Sequence, residues 1–352
     1  MNTVDIFLDL IRIDSPTGDE DGIAKFIQDY LQNLNLKSEI DKAGNVLAEI
    51  PGNKKLETLI LTAHMDTVEP GRGIRPIIDK AGNITSSGDT ILGADNKAGV
   101  AGILSVLGQL SPEHHPLELI FTVSEESDNL GAKKLDYKKL RAKKGFSFDT
   151  SDLVLGDLVL SAPFYTRFDV SILGKFAHAS RPDNAVSVLP ELNKILSQIK
   201  LGVVTKNTLI NIGVINSGFV RNAVPGEVII KGEVRSKSQQ ELNFYKNHIK
   251  SLFRIVSSKV KVKIDVVDEN PGYIISKKEK FVKETIKKLK KMNLKPEIKE
   301  VWGCFDANIF AENGIKIINF GYGGKNAHTT AETIKVKDLE KLTKLIKKLT
   351  DD

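Results

Sequence analysis

The chain has 352 residues, 41% of them hydrophobic and 27% charged, the balance of a soluble globular protein long enough for two domains. No apolar run approaches the roughly 20 residues of a membrane span, so no membrane association is expected. The net charge of +6 suggests nucleic acid, but the lysines of 287–291 and 344–348 alternate with apolar residues at helical spacing. They read as solvated faces of amphipathic helices, and without an aromatic stacking platform no nucleic-acid partner is expected. Cys304 is the single cysteine, which excludes an internal disulfide and fits a reducing compartment; it reads as a small buried hydrophobe rather than a nucleophile. The N-terminus Met1-Asn-Thr-Val-Asp-Ile6 lacks a basic, long-apolar secretory leader, so a cytoplasmic location is expected.

In chain order, Thr17-Gly-Asp-Glu20 has the form of a capping box, and Ile23, Phe26, Ile27, Tyr30 and Leu31 follow at helical spacing. The short apolar runs 45–50 and 59–62 suit buried strands, the second ending two residues before His64. A helix is predicted from about Asp95 through Val100, Ile103, Leu104 and Leu107 toward Leu110. The run 117–123 is a further buried strand, with Glu125-Glu126 just beyond it. Much later, 315–320 reads as a strand, followed by Gly321-Tyr-Gly-Gly324 and His328. Strands alternating with helices predict an α/β sheet, whose ligands gather beyond the strand carboxyl ends.

The middle of the chain differs. The runs 164–173, 209–215, 227–235 and 260–267 are strand-like and 185–199 reads as a helix, which predicts an inserted α+β domain over 164–272. The first domain is then discontinuous, 1–163 and 273–352.

The residues suited to chemistry are spread along this frame. His64 and Asp66 share a face of an extended segment, so that either His64 binds metal while Asp66 holds its second ring nitrogen, or the pair is a core histidine and a capping aspartate. Asp95 is either a helix N-cap or a carboxylate bridging two metals; Lys97 beside it reads as a surface charge. Glu125 and Glu126 repel one another unless cations are present or both face solvent. One can bind metal while its neighbour takes and returns a proton. Asp149 ends a short apolar run, with Asp152 competing, and His328 is a plausible last ligand. His114 and His115 lie in a proline-flanked, exposed loop and are set aside, as is His248 in a charged helical stretch. In the insert, His178 could help hold an oxyanion, Asn222 lies beside strands, and Arg235 either holds a substrate carboxylate bidentately or makes a surface ion pair. Two histidines with carboxylates to spare form a donor set for two divalent ions.

The stretches Thr62-Ala-His-Met-Asp-Thr67, Gly93-Ala-Asp-Asn-Lys-Ala-Gly99 and Ser124-Glu-Glu-Ser127 resemble those of the co-catalytic zinc exopeptidase family that includes peptidase T, succinyl-diaminopimelate desuccinylase and aminoacylase. Gly174–Ser180, the segment from Asn222 to Ser236, and Asn326-Ala-His-Thr329 support it in family order. The resemblance implies a zinc-peptidase-like mixed sheet flanked by helices, with the insert as a lid that mediates homodimerisation. It implies two divalent metal ions per chain, zinc first and cobalt or manganese accepted. Asp95 would bridge them, His64 and Asp149 would complete one site, and Glu126 and His328 the other. Glu125 would be the general base and Asp66 would orient His64. His178, Asn222 and Arg235 would contact a small peptide or acyl-amino-acid substrate. Asp rather than Glu at 149 looks closest to the peptidase T-like branch, while the loop 321–327 departs from that of peptidase T proper and points away from strict tripeptide specificity. The implied reaction is cleavage of di- and tripeptides by a metal-activated water. N-acyl-amino-acid amidohydrolase, desuccinylase or carboxypeptidase activity on the same site is the alternative.

Overall fold

The computed structural model describes residues 2–254 and 257–351. The chain divides into two compact units, one formed by Met1–Ser161, Ile274–Val301 and Phe305–Asp352, the other by Ala162–Tyr273 and Trp302–Cys304.

The first unit is built on an eight-stranded mixed sheet. Its order is Ser38–Ile40, Val46–Ile50, Leu117–Thr122, Leu59–His64, Lys144–Thr150, Lys316–Gly321, Leu158–Val159, Ile298–Lys299. The four central strands run parallel. Leu59–His64 and Leu117–Thr122 are buried at every position, as strands covered on both faces must be, and this is why their apolar runs are nearly continuous. The helix Ala94–Leu107 packs between Thr3–Ile11 and Val336–Thr350. Gly102 permits that approach: a Cβ there would stand 2.8 Å from Ile346 Cδ1 and 3.1 Å from Leu342 Cγ. A small sheet of Pro76–Ile78, Asn83–Ser86 and Thr333–Lys335 fixes the chain just after His328. The mixed sheet with flanking helices is the architecture expected from the sequence.

Three local expectations change. The strand expected to stop at Thr62 continues through His64. The helix Asp21–Asn33 is present, but its start carries no side-chain cap hydrogen bond, so the Thr17–Glu20 capping box does not form. His114 is buried, its Nδ1 bonded to the His115 carbonyl, rather than exposed in a loop.

The second unit is a five-stranded antiparallel sheet in the order Gly202–Thr205, Thr208–Ser217, Glu227–Ser236, Phe164–Leu173, Lys261–Asn270. Alternate residues point inward along Phe164–Leu173, where Phe168, Val170 and Ile172 join Ile230, Val234, Leu242 and Ile249 in one core. The helices are Leu189–Leu196 and Gln239–Leu252. The first is shorter than the 185–199 expected, because Pro190 fits only its first turn and the preceding Pro182–Asn184 closes a separate 3-10 turn. Cys304 is half-buried, its thiol toward the Pro163 carbonyl at 3.6 Å. No described helix is long and apolar enough to cross a membrane.

Candidate metal centre

His64 ends its strand with the side chain buried, and Asp149 nearly ends the neighbouring strand Lys144–Thr150. The Asn319 side chain accepts the backbone N–H of Asp149 at 2.9 Å from the adjoining strand. Parallel strands thus present both residues at one edge, beyond which ligands gather. Asp95 lies in the first turn of Ala94–Leu107 with non-helical φ and ψ, and the cap position of that helix falls on Gly93.

These side chains converge. His64 Nε2 lies 3.2 Å from Asp149 Oδ1 and 3.4 Å from Asp95 Oδ1. Asp95 Oδ2 lies 3.6 Å from His328 Nε2, which is 2.7 Å from Glu126 Oε1. Among the described residues, metal-capable groups are His64–Asp95–Asp149, Asp95–Glu126–His328 and His64–Glu125–Glu126, with donor atoms within 4.8 Å of one another. Asp95 therefore belongs to two of them, offering an oxygen to each side. Asp152, the competitor of Asp149, is exposed and instead accepts the backbone N–H of Asn326 at 3.1 Å, propping the loop that carries His328. That loop is strained: Asn326 and His328 adopt φ of 54° and 63° without being glycine.

The electrostatics of this cluster favour cations. Burial pushes the Asp149 carboxyl up to about 7 despite His64 beside it. Burial, then the neighbouring Asp149, Asp306 and Glu126, raises the Glu125 carboxyl well above its ordinary range. Hydrogen bonds to Asp95 and Glu126 lift His328 to about 10. Burial opposes protonation of His64, but Asp149, Asp66 and Asp95 together raise it well above the usual imidazole value. Asp95 Oδ1 is buried and accepts no hydrogen bond. An orphaned carboxylate oxygen among carboxylates and imidazoles fits a set of donors for divalent ions.

Asp66 does more than the sequence suggested. His64 Nδ1 is 3.0 Å from the Asp66 carbonyl and 3.4 Å from its Oδ1, so the backbone oxygen is the nearer partner. The carboxylate mainly organises the glutamate turn: it accepts the backbone N–H of Glu125 at 3.0 Å and of Glu126 at 3.2 Å, and the Thr17 hydroxyl at 2.8 Å. Glu20 joins in, accepting the Ser124 N–H and hydroxyl, each at 3.0 Å. The residues that resembled a capping box are thus wired to this turn. Lys97, expected at the surface, is fully buried and donates to the Ile13 carbonyl at 2.7 Å. Burial lowers its ammonium to about 7. Asn129, Asp306 and Glu332, all buried beside the cluster, had no distinctive local signal in the sequence.

The remaining expected residues belong to the second unit. His178 and Ala223 pair across two short strands, and Asn222 Nδ2 stands 3.5 Å from His178 Nε2. Both are exposed, and the Ser180 hydroxyl lies 2.7 Å from His178 Nδ1. Arg235 donates to the Trp302 carbonyl at 2.9 Å and to Glu233 at 3.0 Å, and its guanidinium covers the Tyr165 ring at 4.7 Å.

The family model for peptidase family M20/M25/M40 matches residues 60–352. The chain belongs to this family. It is a metallopeptidase, as the sequence motifs indicated. Uncharacterized protein YqjE of Bacillus subtilis is 32% identical over 97% of this chain and 95% of its own length. The crystal structure of a tripeptidase from Staphylococcus aureus superposes with a TM-score of 0.91 at 32% identity, covering 99% of this chain and 97% of its own. Aminopeptidase PepT from Bacillus cereus follows with a TM-score of 0.88 at 30% identity over 99% and 97%.

Proposed function

We propose that the chain is an exopeptidase cleaving di- and tripeptides, with two divalent ions, zinc first, held by His64, Asp95, Glu126, Asp149 and His328. One observation carries this: Asp95 turns one oxygen to the His64–Asp149 side and the other to the His328–Glu126 side. A carboxylate so placed suits a bridge between paired ions. His64 and Asp149 would complete one position, Glu126 and His328 the other.

When bound, the ions would supply Lewis acidity and a water acidic enough to ionise near neutral pH. Glu125 is the general base: it takes a proton from the attacking water and delivers it to the amine as the peptide bond breaks. Asp66 holds the Glu125–Glu126 backbone and the His64 ring in place for that exchange. His178, Asn222 and Arg235 bind the polar ends of the substrate; the exposed His178–Asn222 pair supports this for an anionic oxygen. Arg235 enters this role already engaged with Glu233, so a substrate carboxylate must compete for its guanidinium.

The tripeptidase and PepT likenesses, both at 30% identity or more, support peptides over acyl-amino acids. Exposed Val203, Ile215, Phe219 and Val220 on the second unit support the homodimer. The lone cysteine suits a cytoplasmic protein.

The deciding experiment is elemental analysis of the purified protein, paired with hydrolysis of a di- and tripeptide panel before and after chelation. About two ions per chain with chelator-sensitive cleavage is the expected result. Two ions with hydrolysis of acyl-amino acids alone would replace the peptide substrate. No binding of zinc, cobalt or manganese would overturn the reading.

A further inference from the structure

We infer that Asn129 and Asp306 act together as a positioning pair that fixes the carboxylate of Glu125, directing its Oε2 to proton transfer. The inference rests on the reading of Glu125 as the base.

Asn129 Nδ2 donates to Glu125 Oε1 at 2.9 Å and to Asp306 Oδ1 at 3.0 Å. A primary amide nitrogen carries two hydrogens, so one serves each carboxylate. The opposite orientation would set the amide oxygen, an acceptor only, against two carboxyl oxygens, and the hydrogen bonds therefore dictate which way the amide faces. Asp306, 4% exposed at the start of Asp306–Glu312, is fixed in turn. Its second oxygen accepts the Thr122 hydroxyl at the end of the central strand Leu117–Thr122. Both oxygens of this buried carboxylate are occupied, so the one facing Asn129 cannot wander.

The backbone points to the same device. Ser124, Asp128 and Asn129 adopt φ of 51°, 60° and 55° within a single turn. Side chains seldom accept that conformation, and it persists where the surroundings over-determine it. Here the Asn129 N–H returns to the Glu125 carbonyl at 3.0 Å, and the Glu125 N–H is held by Asp66 Oδ1 at 3.0 Å. The Glu125 main chain is therefore fixed by Asp66 and its side chain by Asn129. A terminal carboxylate torsion is otherwise broad and roughly two-fold. A base must place its accepting oxygen about 2.6–3.2 Å from the oxygen whose proton it takes. With Oε1 occupied by Asn129, Oε2 is the oxygen left for that task.

The test compares Asn129→Gly, Asp306→Ala, Asp306→Asn and Glu125→Gln, each loaded with zinc and measured for kcat, KM, metal content and melting temperature. Glycine suits φ at position 129, so Asn129→Gly removes the amide with little backbone cost. We expect Asn129→Gly and Asp306→Ala to lower kcat about ten- to a hundredfold with KM within about twofold and metal content unchanged. Asp306→Asn keeps an oxygen facing Asn129 and should stay within about threefold of the parent. Normal kcat in Asn129→Gly would overturn the inference. Should Asp306→Ala fail to fold, Asn129→Gly and Asp306→Asn decide: equal losses in both, with early melting, would make the role merely structural and overturn it too. Glu125→Gln separates the two readings. If that variant turns over normally, the assignment of the base fails; if it is inactive while Asn129→Gly is normal, only the positioning fails.

Discussion

Glu332 and Asp95 are 237 positions apart, yet a Glu332 oxygen accepts the backbone N–H of Asp95 at 3.0 Å. The other oxygen takes the N–H groups of Leu92 and Gly93 at 2.8 and 2.7 Å. One buried side chain thereby ties the start of the helix that carries Asp95 to the strand Thr333–Lys335, which begins five residues after His328. Both halves of the cluster depend on it. Glu332→Ala strips the shared acceptor from these three amides and should cost about 2–5 kcal/mol of stability, read by chemical denaturation. Isothermal titration of the apoprotein with zinc should show weakened binding. Parent-like denaturation and zinc affinity would show the tie to be dispensable.

Glu125→Gln removes the base while keeping its shape. The variant should fold, bind about two ions and lose about 10²–10⁴-fold in kcat. Steady-state kinetics with a cleaved tripeptide measures this, alongside metal content.

Chelation should lower the melting temperature as well as activity. Asp95, Asp149, Glu125 and Glu126 crowd together, so ions bound among them would stabilise the loaded form by mass action. At free zinc a thousandfold above the dissociation constant the gain is about 4 kcal/mol. Differential scanning calorimetry with and without chelator gives the difference; identical curves would remove the ions from the folded core.

Lys97→Met keeps the buried stem and deletes the ammonium that meets the Ile13 carbonyl. The carbonyl loses its partner, at a cost of about 1–3 kcal/mol offset in part by no longer burying a charge. Lys97→Ala adds a cavity and should lose more, about 2–5 kcal/mol. Urea denaturation of both variants orders them, and equal losses would mean that the ammonium, absent from both, dominates over the stem.

The central sheet was legible because its strands are covered on both faces and so spell out unbroken apolar runs, as in Leu59–His64 and Leu117–Thr122. Strand ends then marked His64, Glu125-Glu126 and Asp149, and the structure draws these together with Asp95 and His328. What escaped was tertiary wiring. Thr17 and Glu20 matched a local capping pattern, but their oxygens are engaged 49 and 104 positions away, at Asp66 and Ser124. No window of helical periodicity contains such a partner. Lys97 was more accessible: it shares a helical stripe with Val100 and Leu104, and a helix apolar on all sides leaves no surface for a charge. Asn129, Asp306 and Glu332 are single polar residues whose meaning comes only from the burial the fold imposes.

Every donor atom of the cluster, together with Glu125, Asn129, Asp306 and Glu332, comes from the first unit, while the chain departs at Ser161 and resumes at Ile274. The intervening stretch contributes none of these groups. If His178, Asn222 and Arg235 meet the substrate as proposed, reactivity and selectivity lie on separate stretches of one polypeptide. Substitutions between 162 and 273 are then expected to retune which molecule is accepted while leaving the donor cluster of the first unit in place.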